Sequence, residues 1–203
     1  MEQPMRADEQ PSHTTALSDR AIENISFIRR TMEASGTFTA VSGVGVMGLG
    51  LLALAASALT VRFPTPDAML GIWTATAVLG AAVSGWAIAR KARHRQESAL
   101  SGPGRKFVLN FMPAILAGAA LTVALFEAGL PELLPGTWLL LYGTGVVTGG
   151  AFSVRVVPAM GVAFMAAGVL ALVRPDWGPV LMAAGFGGLH LAFGAIITWR
   201  YGG

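Results

Sequence analysis

The residue of this sequence with the clearest potential for chemistry is His190, which lies in the uncharged segment FGGLHLAFG. An ionisable side chain in a long apolar segment is costly to place there and indicates a functional site. A neutral imidazole can instead be satisfied by a hydrogen bond inside a helical bundle. Tyr142, Thr144 and Thr148 could supply that bond if their segment contacts the segment of His190. We predict a ligand-binding site at these four residues, with a structural histidine as the alternative.

Several other kinds of chemistry are excluded by the residue types. The chain has no cysteine, which removes thiolate metal sites and cysteine nucleophiles. A haem held by two histidines or a pair of buried catalytic aspartates would need residues that the apolar segments lack. There is no HExxH motif and no Walker motif. We therefore predict that the protein is not an enzyme and has no catalytic residue, metal site or cofactor.

The elements that must position these residues are long apolar segments. The 203 residues are 54% hydrophobic and only 12% charged, whereas a soluble domain has about 25% charged residues. Apolar runs of 18 residues or more indicate helices that span a membrane. We predict six of them, at about 37–61, 67–90, 107–129, 136–154, 156–173 and 178–200.

A repeat organises these segments. Pro66 to Arg90 aligns without a gap on Pro131 to Arg155, with matching glycines, tryptophans and terminal arginines. A looser third copy runs from Pro175 to Arg200 and contains one additional residue. Each copy begins with a proline and an acid, a pair that suits the first turn of a helix. The predicted fold is all-α: a polytopic membrane protein whose six transmembrane helices form three repeated helical hairpins within 37–203.

The basic residues predict the orientation. If the N-terminus is cytoplasmic, the cytoplasmic side carries twelve of them: Arg6, Arg20, Arg29, Arg30, Arg90, Lys91, Arg93, Arg95, Arg105, Lys106, Arg155 and Arg200. Only Arg62 and Arg174 fall on the other side. By the positive-inside rule, the protein is integral to the cytoplasmic (inner) membrane with both termini in the cytoplasm.

Two polar regions lie outside the predicted spans. Residues 1–16 read as a disordered cytoplasmic tail. Residues 17–35 have an apolar stripe at helical spacing and form a predicted cytoplasmic amphipathic helix, on the membrane surface or against a partner protein. The basic loop at 90–106 can contact anionic headgroups. The predicted lipid- or partner-binding residues are Phe27, Arg29, Arg30, Arg93 and Arg95. Nucleic acid is not expected, because the basic loop has no interleaved aromatic residues.

Small residues recur on the apolar segments, for example at Gly145 and Gly149. In a membrane, such residues let helices approach closely. The glycine-rich faces therefore predict a tightly packed bundle, and alternatively a surface for another subunit or a second copy.

Two functions fit these features. The first is a small non-enzymatic membrane protein that binds or conducts a small neutral or amphipathic molecule, with His190 at the polar centre. The absence of paired charges at membrane depth disfavours a charged substrate. The second is a structural or regulatory subunit that anchors a partner protein at the membrane.

Overall fold

The computed structural model describes part of the chain, residues 20, 22–28, 43–94, 102–151 and 153–201, and almost all of them are helical. Residues 43–201 of that part contain seven α-helices and no strand: α1 (Gly43–Arg62), α2 (Pro66–His94), α3 (Gly102–Glu127), α4 (Leu134–Gly150), α5 (Val156–Val173), α6 (Gly178–Met182) and α7 (His190–Tyr201). A π-helical segment, Ala183–Leu189, joins α6 to α7. We call α6, this π segment and α7 together the last helix. The all-α prediction is confirmed for the described residues.

Among the described residues, five helical stretches are long and apolar enough to cross a membrane: Gly43–Arg62, Pro66–Trp86, Gly104–Glu127, Val156–Val173 and Pro175–Arg200. They indicate a protein embedded in a membrane. The predicted fourth span, 136–154, corresponds to α4, which has only 17 residues. It ends four residues earlier than predicted, because the chain turns at Ala151 before reaching Arg155.

The three Pro-acid pairs do not all begin an α-helix. α2 starts at Pro66 with Asp67 in its first turn, as predicted. Pro131–Leu133 and Pro175–Trp177 instead form single 3-10 turns, and α4 and α6 begin just after them. Proline fixes only its own φ angle, so it suits either helix type, and 3-10 turns are common at helix starts.

The end of α3 is fixed by glycine. Gly129 has a φ of 72°, a left-handed conformation that glycine adopts without strain. The amide of Leu130 donates to the carbonyl of Leu125 and that of Gly129 donates to Phe126. This pair of bonds is the Schellman motif, which satisfies carbonyls left open at a helix end.

The long helices pack as a row in which each element contacts its neighbours. The order is α2, α1, the last helix, α5, α4 and α3, and the start of the last helix also contacts α4. α2 and α3, at the two ends of the row, bury only 11% and 6% of the residues in their apolar stretches. The most buried large side chains, including Leu139, Phe164 and Met182, lie where α4, α5 and the last helix meet.

Glycines bring α1 and the last helix into backbone contact. A methyl group on Gly50 would lie 2.9 Å from the carbonyl oxygen of Gly187, and one on Gly194 would lie 2.8 Å from that of Gly43. Within each helix the two glycines are seven residues apart, which is two helical turns. The two backbones can approach this closely only because these positions have no side chain.

α4 and α5 repeat the same arrangement. A methyl group on Gly143 would lie 2.7 Å from the carbonyl oxygen of Gly161, and the reverse contact is 2.8 Å. Gly136 lies seven residues before Gly143 and packs against Leu172 of α5. Gly168 lies seven residues after Gly161 and packs against Leu140 of α4. α4 and α5 are therefore tightly packed neighbours.

A separate unit covers the N-terminal residues, 1–36. Within it, Arg20 and residues 22–28 are helical, and Ile22, Ile25, Phe27 and Ile28 are more than half exposed. The predicted tail, the rest of the amphipathic helix, Arg29, Arg30 and Arg95 lie outside the described residues. Arg93 belongs to the last turns of α2.

Candidate functional site

His190 is buried at the centre of the row, with only 3% of its surface exposed. It follows the π segment directly and lies among aromatic rings from three elements. The ring centroids of Tyr142 on α4 and Phe164 on α5 are 5.5 and 5.2 Å from the imidazole. The ring of Phe186, in the π segment, stacks on the imidazole at 6.2 Å. We call these four residues the aromatic centre.

Both ring nitrogens of His190 have protein partners. Nδ1 lies 2.8 Å from the carbonyl oxygen of Phe186, and Nε2 lies 2.8 Å from the hydroxyl of Tyr142. Because a carbonyl can only accept, the hydrogen-bond network assigns the proton to Nδ1, and Nε2 then accepts from the Tyr142 hydroxyl. The imidazole is thus neutral, and both of its nitrogens are hydrogen-bonded. One bond goes to the preceding turn of its own helix and the other comes from α4.

Of the three residues predicted as partners of His190, the structure brings only Tyr142 to it. The hydroxyl of Thr144 donates to the carbonyl of Leu140 in its own helix. Thr148 lies near the C-terminal end of α4. Its hydroxyl is within hydrogen-bonding distance of three carbonyls, those of Asn110, Thr144 and Gly145. Of the four predicted residues, the structure therefore brings Tyr142 and His190 together, and both threonine hydroxyls bond to backbone carbonyls elsewhere.

The contact between Thr148 and Asn110 lies beside a proline of α3. Pro113 lies inside α3 and has no backbone N–H, so the carbonyl of Leu109, four residues earlier, has no α-helical partner at that position. The Thr148 hydroxyl of α4 reaches the carbonyl of the next residue, Asn110, at 2.8 Å. Hydroxyl side chains commonly satisfy backbone groups near prolines in membrane helices.

A different feature offers space for a ligand. An apolar groove of about 280 Å³ lies where α1 ends and α2 and the last helix begin. Eight residues line it: Ser57, Ala58, Thr60, Val61, Trp73, Pro179, Val180 and Ala183. Ala58, Val61 and Val180 are exposed, so the groove opens to the surroundings of the protein. His190 and the two predicted threonines are not part of it.

The walls of the groove present hydrocarbon and aromatic surface. Ser57 and Thr60 are its two hydroxyl residues, and each donates to the carbonyl one turn earlier in α1 at 2.9 Å. Trp73 is only 7% exposed, and its ring centroid lies 5.7 Å from that of Phe186. The groove therefore touches the aromatic centre through Trp73 and Phe186. Residues from three helices form it, which is why no single sequence pattern predicted it.

No family model, curated protein or solved structure matches this chain. Function must therefore be inferred from the geometry of this chain.

The end of the bundle that carries the groove holds Arg62, Asp67, Glu127, Glu132, Arg174 and Asp176. Arg174 and Asp176 form an exposed ion pair with a 2.9 Å contact, and this bond raises the pKa of the Arg174 guanidinium. Arg62 ends α1, with its guanidinium carbon 5.5 Å from the centroid of the Phe63 ring. Within the described part of the chain, no acid forms an ion pair with Arg62. Arg62 therefore remains available to an anion.

The described residues contain no group of three or more metal-ligating side chains. The pair of Tyr142 and His190 is a buried hydrogen-bonded unit, whereas the groove is open to a ligand from outside the bundle. Chemically, the groove can hold an apolar chain or ring system, because its walls are mostly hydrocarbon and aromatic surface.

Proposed function

We propose that this chain is a polytopic protein of the cytoplasmic membrane with both termini in the cytoplasm. Its six spans are the five long helical stretches and α4. Two facts support six spans over five. The 17 residues of α4 reach the lower end of the spanning range and contain no charged residue. Glu132 precedes α4 and Arg155 follows it, so a polar residue stands at each end. An amphipathic helix on the cytoplasmic surface precedes the spans, in keeping with the exposed apolar residues at 22–28.

We further propose that the six spans form three repeated hairpins. The gap-free alignment of residues 66–90 on residues 131–155 supports this arrangement, and residues 175–200 form a looser third copy with one additional residue.

For function, we propose a non-enzymatic membrane protein that binds a small neutral or amphipathic molecule in the groove between α1, α2 and the last helix. One observation carries the proposal: the described bundle offers an apolar cleft of about 280 Å³ that opens outward beside a buried tryptophan. Ligand pockets are typically concave, mostly apolar and largely preformed. The groove has these properties, and the satisfied pair of Tyr142 and His190 does not.

Quenching of Trp73 fluorescence tests the proposal. Bromine atoms quench tryptophan on contact, so the full chain in mild detergent is titrated with a dibrominated octadecanol. The contribution of Trp73 is the difference between the wild type and Trp73→Phe. We expect saturable quenching of this contribution.

Neighbouring residues of the last helix supply a matched control. Ala183 lines the groove, whereas Ala184 is exposed and does not. Ala183→Phe fills the groove and should abolish the quenching, and Ala184→Phe should leave it intact. Quenching that is linear, unsaturable and equal in the two alanine variants would refute the proposal.

The second candidate function is a subunit that anchors a partner protein or a second copy. The specific observation in its favour is the small buried fraction of α2 and α3 at the ends of the row. Both helices expose large apolar side chains, such as Leu79 on α2 and Leu116 on α3. Native mass spectrometry of the mildly extracted protein separates the two candidates, since a stoichiometric second polypeptide without a bound small molecule favours the subunit.

A further inference from the structure

We propose that the groove takes a single-chain anionic amphiphile, a long-chain carboxylate, with its hydrocarbon between α1, α2 and the last helix and its headgroup at Arg62. This inference rests on the proposed function and adds the chemical class of the ligand. Three observations support it: the size of the groove, the position of Arg62, and the state of the other charges at this end of the bundle.

The size of the groove favours one chain. Its volume of about 280 Å³ lies just below the range of about 300 to 1,000 Å³ that is typical of sites for drug-sized molecules. It equals the share of about nine water molecules in the liquid. That space suits a segment of one alkyl chain, and the open side lets the rest of the chain remain in the bilayer. A lipid with two chains would leave the second chain outside the groove.

The position of Arg62 puts a positive charge at one end of the apolar wall. Residues four apart lie on the same face of an α-helix, one turn above each other. Arg62 is therefore one turn beyond Ala58 on the face of α1 that lines the groove. An arginine guanidinium binds a carboxylate through two parallel hydrogen bonds. A chain that enters the groove can place its carboxylate at this residue.

The neighbouring charges leave this position to an anion. Arg174 is already compensated by Asp176, through contacts of 3.1 and 2.9 Å. Asp67 lies in the first turn of α2, six residues before Trp73. Six residues correspond to about 120° around a helix, so Asp67 is on a different face from the wall residue Trp73. Among the charges named here, Arg62 is the cation without an ion pair that shares a helix face with the groove.

The test compares two probes that differ only in the headgroup. The full chain in a neutral mild detergent is titrated with dibrominated octadecanoate and with dibrominated octadecanol at pH 8, where the carboxylate is ionised. Quenching of the Trp73 contribution is the readout. We expect the octadecanoate to bind about tenfold more tightly, the effect of one charge-assisted contact. Added salt should reduce this preference, since the headgroup contact is exposed to solvent.

Two arginine variants form the matched pair. Arg62→Gln should bring the affinity for octadecanoate down to that for octadecanol and leave octadecanol binding unchanged. Arg174→Gln removes the same charge at the same end of the bundle and should retain the tenfold preference. Circular dichroism of both variants confirms that they are folded. Both substituted side chains are solvent-exposed, so folding should be unaffected.

The possible failures are distinct. Equal affinity of the wild type for both probes, or an equal loss in Arg62→Gln and Arg174→Gln, would overturn the headgroup assignment while the groove remains a binding site. Tighter quenching by a brominated two-chain anionic lipid than by the octadecanoate would overturn the single-chain class. If neither single-chain probe quenches Trp73, the proposed function itself fails.

Discussion

At the scale of residues, the hydrogen bond between Tyr142 and His190 stabilises a polar pair in aromatic surroundings. Tyr142→Phe keeps the ring contacts and removes the hydroxyl, so Nε2 of His190 loses its 2.8 Å partner. A buried acceptor left without a partner costs about 1–3 kcal/mol. We expect a loss of stability of that size in a detergent unfolding titration.

The control is the double-mutant cycle with His190→Phe. If the pair interacts directly, the double variant should lose less than the sum of the single variants, by about 0.6–1.7 kcal/mol, the range measured for hydrogen bonds in membrane bundles. Additive losses would show that the hydroxyl and the imidazole act independently.

Thr144 and Thr148 provide a second residue-level prediction. Thr148 bonds across to Asn110 of α3, whereas the Thr144 hydroxyl bonds within its own helix. Thr148→Val should destabilise the bundle by about 1 kcal/mol and Thr144→Val by less than about 0.5 kcal/mol, measured in the same titration. A pair of variants with unchanged stability and weakened probe binding would instead favour the ligand site predicted from the sequence.

The sequence could identify His190 and its possible partners, but it could not choose among them. Tyr142 and Thr144 are two residues apart and therefore about 200° apart around α4. Which of them faces His190 depends on the rotation of two packed helices, and the π segment alters one of those rotations. Such a choice is made by packing and leaves no signal in hydropathy.

At the scale of elements, the glycine contacts decide how close the helices lie. A methyl group on Gly143 would meet the backbone of α5 at 2.7 Å, from both the Gly161 carbonyl and the Met165 amide nitrogen. Backbone cannot move aside as a flexible side chain can. We expect Gly143→Ala to cost about 1–3 kcal/mol of unfolding free energy, the usual cost of overpacking.

Gly48 is the matched control for this substitution. It also lies in a long helix, but nothing is within 4 Å of a methyl group built on it. Gly48→Ala should be neutral or stabilising by up to about 1 kcal/mol, because alanine favours the helix. Equal destabilisation by both substitutions would argue against the close approach of α4 and α5.

Element positions were largely predictable, with exceptions that have physical causes. The predicted span at 156–173 coincides with α5, because Arg155 and Arg174 mark its ends. The two 3-10 turns were missed, since a Pro-acid pair suits both helix types. The groove was missed as well, because three helices line it and their contacts depend on glycines whose partners are distant in the chain.

At the scale of the whole molecule, the position of α4 determines the topology. The chain has no natural cysteine, so single cysteines can be introduced without a background. We expect Glu132→Cys to react with an impermeant maleimide on intact cells and Arg155→Cys to react only after permeabilisation, because α4 separates the two positions.

Arg105→Cys, which the topology places on the same side as Arg155, serves as the reference. Labelling of positions 132 and 155 from the same side would mean that α4 lies in the bundle without crossing the membrane. The protein would then have five spans, the five long helical stretches.

The order of the row gives the bundle two similar parts. α1 with the last helix and α4 with α5 are both antiparallel pairs held by glycines seven residues apart. α2 and α3 flank these pairs on the outside, and the aromatic centre lies where the pairs meet. Within each pair the contact is between backbones, whereas side chains fill the space between the pairs.

The π segment divides the last helix into two parts that differ in helical phase. Residues before Ala183 and residues after Leu189 each keep their own face toward the bundle, and one surplus residue between them reconciles the two phases. Deleting one residue of this segment, such as Gly188, removes the surplus, so the segment should become regular α-helix, and His190 and Gly194 should keep their contacts with Tyr142 and α1. A deletion inside a regular helix such as α5 would instead turn every later residue of that helix by about 100°.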